Sequence, residues 1–274
     1  MSSSSAIIIR AIMIHTALTV AGSDPSGGAG IQADLKTFTS LDVYGMSVIA
    51  AVTAQNTLGV RDVLQIPAEF IGLQMDAVLT DIAPAAMKTG MLGTAAAVDI
   101  VAHKVRRHGL RNLIVDPVMV SSSGTHLLEH SGEEMLKHAL LPLALLLTPN
   151  LEEASVLTGI DVRDSRTMEE AARRLHRMGA RNVLVKGGHL EGDAIDVFFD
   201  GSRVERLSAP RMTTTDVHGT GCVLSASVTA YLARGLSLYD AVVRGKEFVT
   251  ESIRTSLRLG KGVGPVNAGT LPIE

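Results

Sequence analysis

Tryptophan is absent from this 274-residue sequence, and aromatic residues make up only 3% of it. The core must then be built from Ala, Val, Leu, Ile and Met, which suits helices packed on a buried parallel sheet. Cysteine occurs once, as Cys222, which excludes an internal disulfide and any cysteine-rich metal site. No uninterrupted apolar run approaches the roughly 20 residues of a membrane-spanning helix. Neither sign of charge dominates: 25 basic and 28 acidic side chains leave a net charge of -3, which offers no basic face to nucleic acid. Also missing is the Gly-x-x-x-x-Gly-Lys-Ser/Thr phosphate loop, because Gly245-Lys246 runs into Glu247 and Gly260-Lys261 into Gly262. No internal repeat is present, and no linker rich in Pro, Ser or charge divides the chain. The expectation is a single domain over residues 15–274, in a cytoplasmic setting, with neither nucleic acid nor membrane as partner. Residues 1–14 read as a flexible extension. They hold a serine run and then an apolar stretch that is too short to span a bilayer and has no basic segment before it.

What is present is a hydrophobic share of 46%, laid out as short apolar runs between amphipathic segments. Residues 17–21 read as a buried strand ending at Gly22. Turn residues follow, then a helix with Ile31, Leu35, Phe38 and Leu41 on one face. Residues 44–54 are strand-like and end at Gln55-Asn56, and Pro67 suits the first position of the next helix. Residues 86–88 form a strand before Thr89-Gly-Met-Leu, and 95–107 a helix. Strands over 113–115 and 143–147 end at Asp116-Pro117 and Thr148-Pro-Asn150. Two helices follow, then a strand over 183–185 ending at Lys186-Gly-Gly. Residues 194–199 and 203–208, joined by Asp200-Gly-Ser, form a hairpin. Strands alternating with helices give an α/β fold with a mostly parallel central sheet and helices on both faces. The polar dipeptides fall at the carboxyl ends of strands, where such sheets bind ligands.

Residues 213–227 carry the most chemistry. A polar loop leads into Gly219-Thr220-Gly221-Cys222 and then an apolar helix, with Gly235 as its stop. The first amides of a helix lack partners and carry the positive end of its dipole, so the glycine turn is an anion cradle. Cys222 in that turn is read in two ways. It is a small buried hydrophobe, or a thiol whose pKa the helix dipole lowers. Gly28-Ala-Gly30-Ile-Gln-Ala33 also fits a dinucleotide fingerprint. A nicotinamide site would want an acid at the end of the second strand, where Gln55-Asn56 stands instead.

Asp216-Val-His-Gly-Thr-Gly-Cys222 resembles the signature turn of the ribokinase-like small-molecule kinases. With Ala21-Gly-Ser-Asp-Pro-Ser-Gly-Gly-Ala-Gly30, it is similar to the hydroxymethylpyrimidine and phosphomethylpyrimidine kinases of thiamin synthesis, over residues 17 to 266. The resemblance implies a ribokinase-like fold, a homodimer, and ATP-dependent phosphorylation of 4-amino-5-hydroxymethyl-2-methylpyrimidine and then of its monophosphate. It makes Gly219, Thr220, Gly221 and Cys222 the catalytic turn, with Cys222 taking or orienting the substrate proton. It places Gly22, Asp34, Thr53, Gln55 and Met91 around the pyrimidine. A glutamine amide offers both donor and acceptor to an aminopyrimidine edge. Asn150, Glu153, Lys186, His218 and Lys246 then serve ATP, with Glu153 and Asp116 holding Mg²⁺ through water.

Several of these residues have plainer readings. Asn150-x-x-Glu153 is also a near-form of a structural capping box. Asp34 and Lys246 read equally as solvated helix charges, Asp116 as a turn residue before Pro117, and His218 as a loop residue. The sequence has Thr53 where several relatives have Val, and Val217 where Thr is more usual. Three other functions stay open: a pyridoxal or pyridoxine kinase of the same fold, a dinucleotide-dependent oxidoreductase, and a non-catalytic vitamin sensor.

Overall fold

The computed structural model describes residues 14–121, 124–188 and 192–269. The expected extension over residues 1–14 lies outside the described residues except for Ile14. Among the described residues, nine strands form one sheet in the order β3-β2-β1-β4-β5-β6-β7-β8-β9. They are β1 (His15–Ser23), β2 (Val43–Asn56), β3 (Gly59–Gln65), β4 (Ala86–Thr89), β5 (Leu113–Val115), β6 (Leu146–Leu147), β7 (Val183–Val185), β8 (Ala194–Phe199) and β9 (Val204–Ala209). The run from β2 to β7 is parallel, while β3, β8 and β9 join by antiparallel pairing. The chain starts in the middle, adds β2 on one side of β1 and later β4 on the other. That reversal opens a crevice at the carboxyl ends of β1 and β4.

Alternation along the strands sends side chains to two separate cores. Leu113, Val115, Val183 and Val185 pack on one face under α2 (Ala68–Leu79), α3 (Ala95–Arg107), α5 (Leu151–Thr158) and α6 (Ser165–Arg177). Ile114, Leu146 and Leu184 pack on the other under α1 (Gly30–Ser40), α7 (Thr220–Ala233) and α8 (Leu238–Arg254). The short helix α4 (His130–Met135) runs on into one π-helical turn, Leu136–Leu140.

Residues 59–65 form an edge strand and residues 130–140 are helical, two segments to which the sequence reading assigns no element. Two expectations change. The strand expected over 143–147 shrinks to Leu146–Leu147, because Pro142 closes a 3-10 turn over Leu141–Leu143 just before it. Pro67 is the N-cap residue of α2 rather than its first helical residue.

Candidate active site

A single continuous cavity of about 630 Å³ runs along the carboxyl edge of the sheet. Its lining comes from the ends of β1, β2, β4, β5 and β7 and from the start of α7. That volume is within the range of about 300–1,000 Å³ typical of small-molecule sites.

The middle of the cavity is the glycine turn. Gly219 has φ +82°, and a Cβ there would stand 1.8 Å from the Gly28 carbonyl oxygen, so no other residue fits without moving a loop. The Thr220 hydroxyl donates to the Val217 carbonyl at 2.6 Å and fixes the turn. A Cβ on Gly221 would lie 3.3 Å from Lys186 Nζ, so the bare backbone at the α7 N-terminus faces that ammonium directly. Cys222 lines the cavity beside it. The expected lowering of its pKa is not found. Burial pushes the thiol up to about 11, Lys88 pulls the other way, and the carboxylates of Asp34 and Asp116 push up again. At neutral pH the side chain is a thiol.

At one end, Lys186 Nζ stands 2.8 Å from Asp116 Oδ1 and 3.9 Å from Glu153 Oε2. Burial opposes its charge, but the two carboxylates hold the ammonium protonated well above the usual lysine value. Asn150 caps α5 and Glu153 returns the bond, with Glu153 N to Asn150 Oδ1 at 2.8 Å and Asn150 N to Glu153 Oε2 at 2.7 Å. The box is therefore structural, and it also aims Glu153 at the cavity. Burial raises Glu153 to about 7 although Lys186 works against that shift. Asp116 is not an exposed turn residue: it is buried and accepts from Thr148 Oγ1 at 3.2 Å and Ser225 Oγ at 3.1 Å. Lys246 is no solvated charge either, since it donates to Asp196 Oδ2 at 2.8 Å and the Ala194 carbonyl at 2.9 Å.

At the other end, Thr53 Oγ1 contacts the Ser23 carbonyl at 3.0 Å and Gln55 Oε1 at 3.1 Å. A Cβ on Gly22 would come within 3.1 Å of the Met91 sulfur, so this backbone and Met91 make one wall. His218 was expected among the ATP residues. Its ring instead turns to this end, with Nε2 2.8 Å from Asp24 Oδ2 and 3.5 Å from Gln55 Nε2. Burial would raise Asp24, but hydrogen bonds from His218 and Ser26 outweigh it and keep the carboxylate ionised. An ionised carboxylate only accepts, so His218 Nε2 carries the proton and takes none from the Gln55 amide. Asp34, expected beside the substrate, does not line the cavity. It is fully buried in an ion pair with Lys88, Nζ to Oδ1 2.6 Å.

Asp24, Lys88, Asp196 and Ser225 carry no local signal as partners in the site, because each reaches a residue distant in the chain. For a divalent cation, Asp116 and Glu153 already converge on one positive charge, and among the described residues no group of three or more His, Cys, Asp or Glu side chains forms. Two carboxylates suit magnesium, which keeps several waters and binds through phosphates as well.

An anion cradle at a helix N-terminus, between a lysine–carboxylate end and an amide end of one cavity, defines the class as a small-molecule kinase of ribokinase-like fold. Residues 24–267 match the family model described as phosphomethylpyrimidine kinase, and the chain belongs to that family of phosphotransferases. It is 45% identical to the hydroxymethylpyrimidine/phosphomethylpyrimidine kinase of Bacillus subtilis over 93% of this chain and 94% of that one. It is 50% identical to the thiamine biosynthesis bifunctional protein ThiED of Geobacter sulfurreducens over 91% of this chain, but it spans only 51% of that longer relative. Among solved structures, the ADP complex of Bacillus subtilis pyridoxal kinase superposes with a TM-score of 0.89 at 40% identity, over 94% of this chain and 98% of that one. Among the described residues no helix is long and apolar enough to cross a membrane.

Proposed function

We propose that this chain phosphorylates 4-amino-5-hydroxymethyl-2-methylpyrimidine, and then its monophosphate, with Mg-ATP in thiamin biosynthesis. The observation that carries the reading is the single cavity joining Gln55 and Met91 at one end to Lys186 and Glu153 at the other, with Gly219–Cys222 between them. The Gln55 amide, held beside Thr53, offers its N–H groups to a ring nitrogen while Met91 and Gly22 bound the ring. Asn150, Lys186 and Lys246 hold the ATP phosphates. Asp116 and Glu153 would hold Mg²⁺ through water, and the ion would supply charge neutralisation on the phosphates. Gly219, Thr220 and Gly221 present backbone dipoles to the charge on the transferred group.

In the first step the substrate hydroxyl oxygen bonds to the γ-phosphorus, the bond to the β–γ bridging oxygen breaks, and ADP leaves. The hydroxyl proton passes to Cys222 in the small fraction of molecules whose thiol has first lost its own proton to solvent. In the second step the nucleophile is an oxygen of the substrate's own phosphate, which is already anionic and needs no base. His218 belongs to the substrate end, where with Asp24 it ties the 24–30 loop to the glycine turn.

The chain acts in the cytoplasm as a homodimer in this reading. The dimer rests on exposed apolar side chains around the sheet edge: Val52 and Leu64 face each other across the β2–β3 ladder, and Phe70 and Leu73 project from α2, which packs on β2.

Pyridoxal is the second substrate to weigh, because a pyridoxal kinase is so close in structure. The deciding experiment measures ATP consumption over hydroxymethylpyrimidine, its phosphate, pyridoxal and pyridoxine, in wild type and Gln55→Ala. The pyrimidine is expected as the preferred substrate. Loss of the amide should cost it about 1–3 kcal/mol, because a ring polar group stays buried without a partner, and pyridoxal should lose less. The ratio of the two kcat/KM values therefore narrows in the variant. A wild type that prefers pyridoxal would assign the other vitamin.

A further inference from the structure

Asp196 is the one charged residue of β8, a strand that otherwise reads Ala-Ile-x-Val-Phe-Phe, and it is buried. Val185 and Val197 are partners across the β7–β8 ladder, and both pack into the core under α5 and α6. Alternation then turns Lys186 and Asp196 to the opposite face, the one under α7 and α8. There both carboxylate oxygens of Asp196 are engaged. Oδ1 accepts from the Gly187 amide at 2.9 Å, and Oδ2 accepts from Lys246 Nζ at 2.8 Å. The Ala194 carbonyl accepts from the same ammonium at 2.9 Å. Gly187 is itself pressed on β8, where a Cβ would stand 2.0 Å from the Ile195 carbonyl oxygen. One buried side chain is thus bonded to the residue after Lys186 on one side and to Lys246 of α8 on the other.

Both lysines and Asp196 line the cavity. An ammonium has three N–H donors. Asp196 and Ala194 take two of those on Lys246, and among the described residues the third has no partner, so it is left for an anion in the cavity. As a means of attracting ATP by charge the pair is poor, because the carboxylate cancels the ammonium toward a polyanion. As a means of fixing the ammonium it is good. A loose lysine must be ordered when its ligand arrives, and a pinned one has little freedom left to lose.

We propose that Asp196 is the positioning residue of the ATP end: it holds Lys246, and through the Gly187 amide the Lys186 strand end, at one fixed spacing, so that both ammonium groups meet the triphosphate without rearrangement. The inference rests on the kinase reading above for its ligand, and nucleotide binding rather than turnover carries its test.

Asp196→Asn is the main variant. Its amide has one oxygen and one NH₂ group, so it serves either Gly187 or Lys246 and turns a donor against the other. The variant also removes a negative charge beside the phosphates, so electrostatics alone would tighten ATP. Positioning predicts the opposite sign. By calorimetry with magnesium present, the Kd for ATP should rise about tenfold, the worth of one hydrogen bond to a charged group. The Kd for adenosine, which has no phosphate, should stay within about twofold. Adding Lys246→Met should then cost ATP little more, because the lysine it removes is already displaced. In steady state, KM for Mg-ATP should rise while KM for the pyrimidine does not. ATP bound as tightly as by wild type or more tightly, an equal loss for adenosine, or losses from the two substitutions that simply multiply would leave Asp196 a structural residue. A thermal melt checks folding. Asp196→Glu keeps the charge and both acceptor oxygens but displaces the ammonium by the added methylene, and it replaces the asparagine variant if that one unfolds, with the same expectations. Unfolding of both would make the pair a weld between β8 and α8. A wild type that binds ATP but phosphorylates no pyrimidine would overturn the substrate assignment, and the binding comparison would still decide the role of Asp196. A wild type that binds no ATP would overturn both.

Discussion

Burial and counter-charge compete at one sulfur atom. Cys222 sits at a helix N-terminus, which favours a thiolate, yet removal from water wins and the thiol is pushed up to about 11. The sign of the consequence is fixed. Below that value the thiolate fraction grows about tenfold for each pH unit. Turnover of the hydroxymethyl substrate should therefore rise between about pH 7 and 9, while the phosphomethyl step stays nearly flat. Cys222→Ala should lower the first step by about 10²–10⁴-fold and the second step far less. Steady-state rates on the two substrates across that range check both statements. A flat profile for both steps, with an active alanine variant, would reduce Cys222 to packing. Other residues show where sequence reading stops. Asp34 and Lys88 are 54 positions apart, so nothing local says that they pair. His218 was recognised as part of a motif, but its direction is set by Asp24, 194 residues away.

At the scale of elements, the parallel strands were legible because each is a short apolar run closed by a polar residue. β1, β5 and β7 follow that pattern, and their ends supply Ser23, Asp116 and Lys186. β3 escaped because it is an edge strand with no fully buried residue and with Arg61 and Asp62 within it. The leucine run before Thr148 was over-read for the opposite reason. An apolar stretch without alternation does not separate a turn from a strand. The α7 N-terminus was placed correctly from its glycines, and the structure shows what each one is for. Gly219→Ala forces a left-handed backbone and a Cβ against the Gly28 carbonyl, so the turn must open or residues 28–30 must shift. Turnover should fall about 10²–10³-fold and the melting temperature should drop with the strained turn, while α7 stays packed through its later turns. Activity near wild type would mean that residues 28–30 yield at no cost.

For the whole molecule, the doubly wound sheet and the location of the cavity were readable from alternation and strand ends alone. The exposed edge was not, since no periodicity marks Leu64 or Phe70 as outward-facing. If that edge joins two copies, Leu64→Glu with Phe70→Glu should yield monomers by sedimentation while the cavity residues keep their places. A wild type that sediments as a monomer at micromolar concentration would remove the dimer.

The cavity lining reaches from Ala21 to Val263, and this has a consequence for synthesis. A chain made from its amino end completes the sheet when β9 pairs with β8, at residue 209. At that moment the glycine turn, Lys246 and the Pro265 segment that bridges to His218 have yet to be made. The apolar face formed by Ile114, Leu146, Leu184 and Phe198 also lacks most of its cover, because only α1 precedes it and α7 and α8 come last. A nascent chain of that length therefore has every strand of the sheet made, an incomplete cavity and one apolar face only partly covered. That stage is where the chain is most prone to aggregate and most in need of a chaperone.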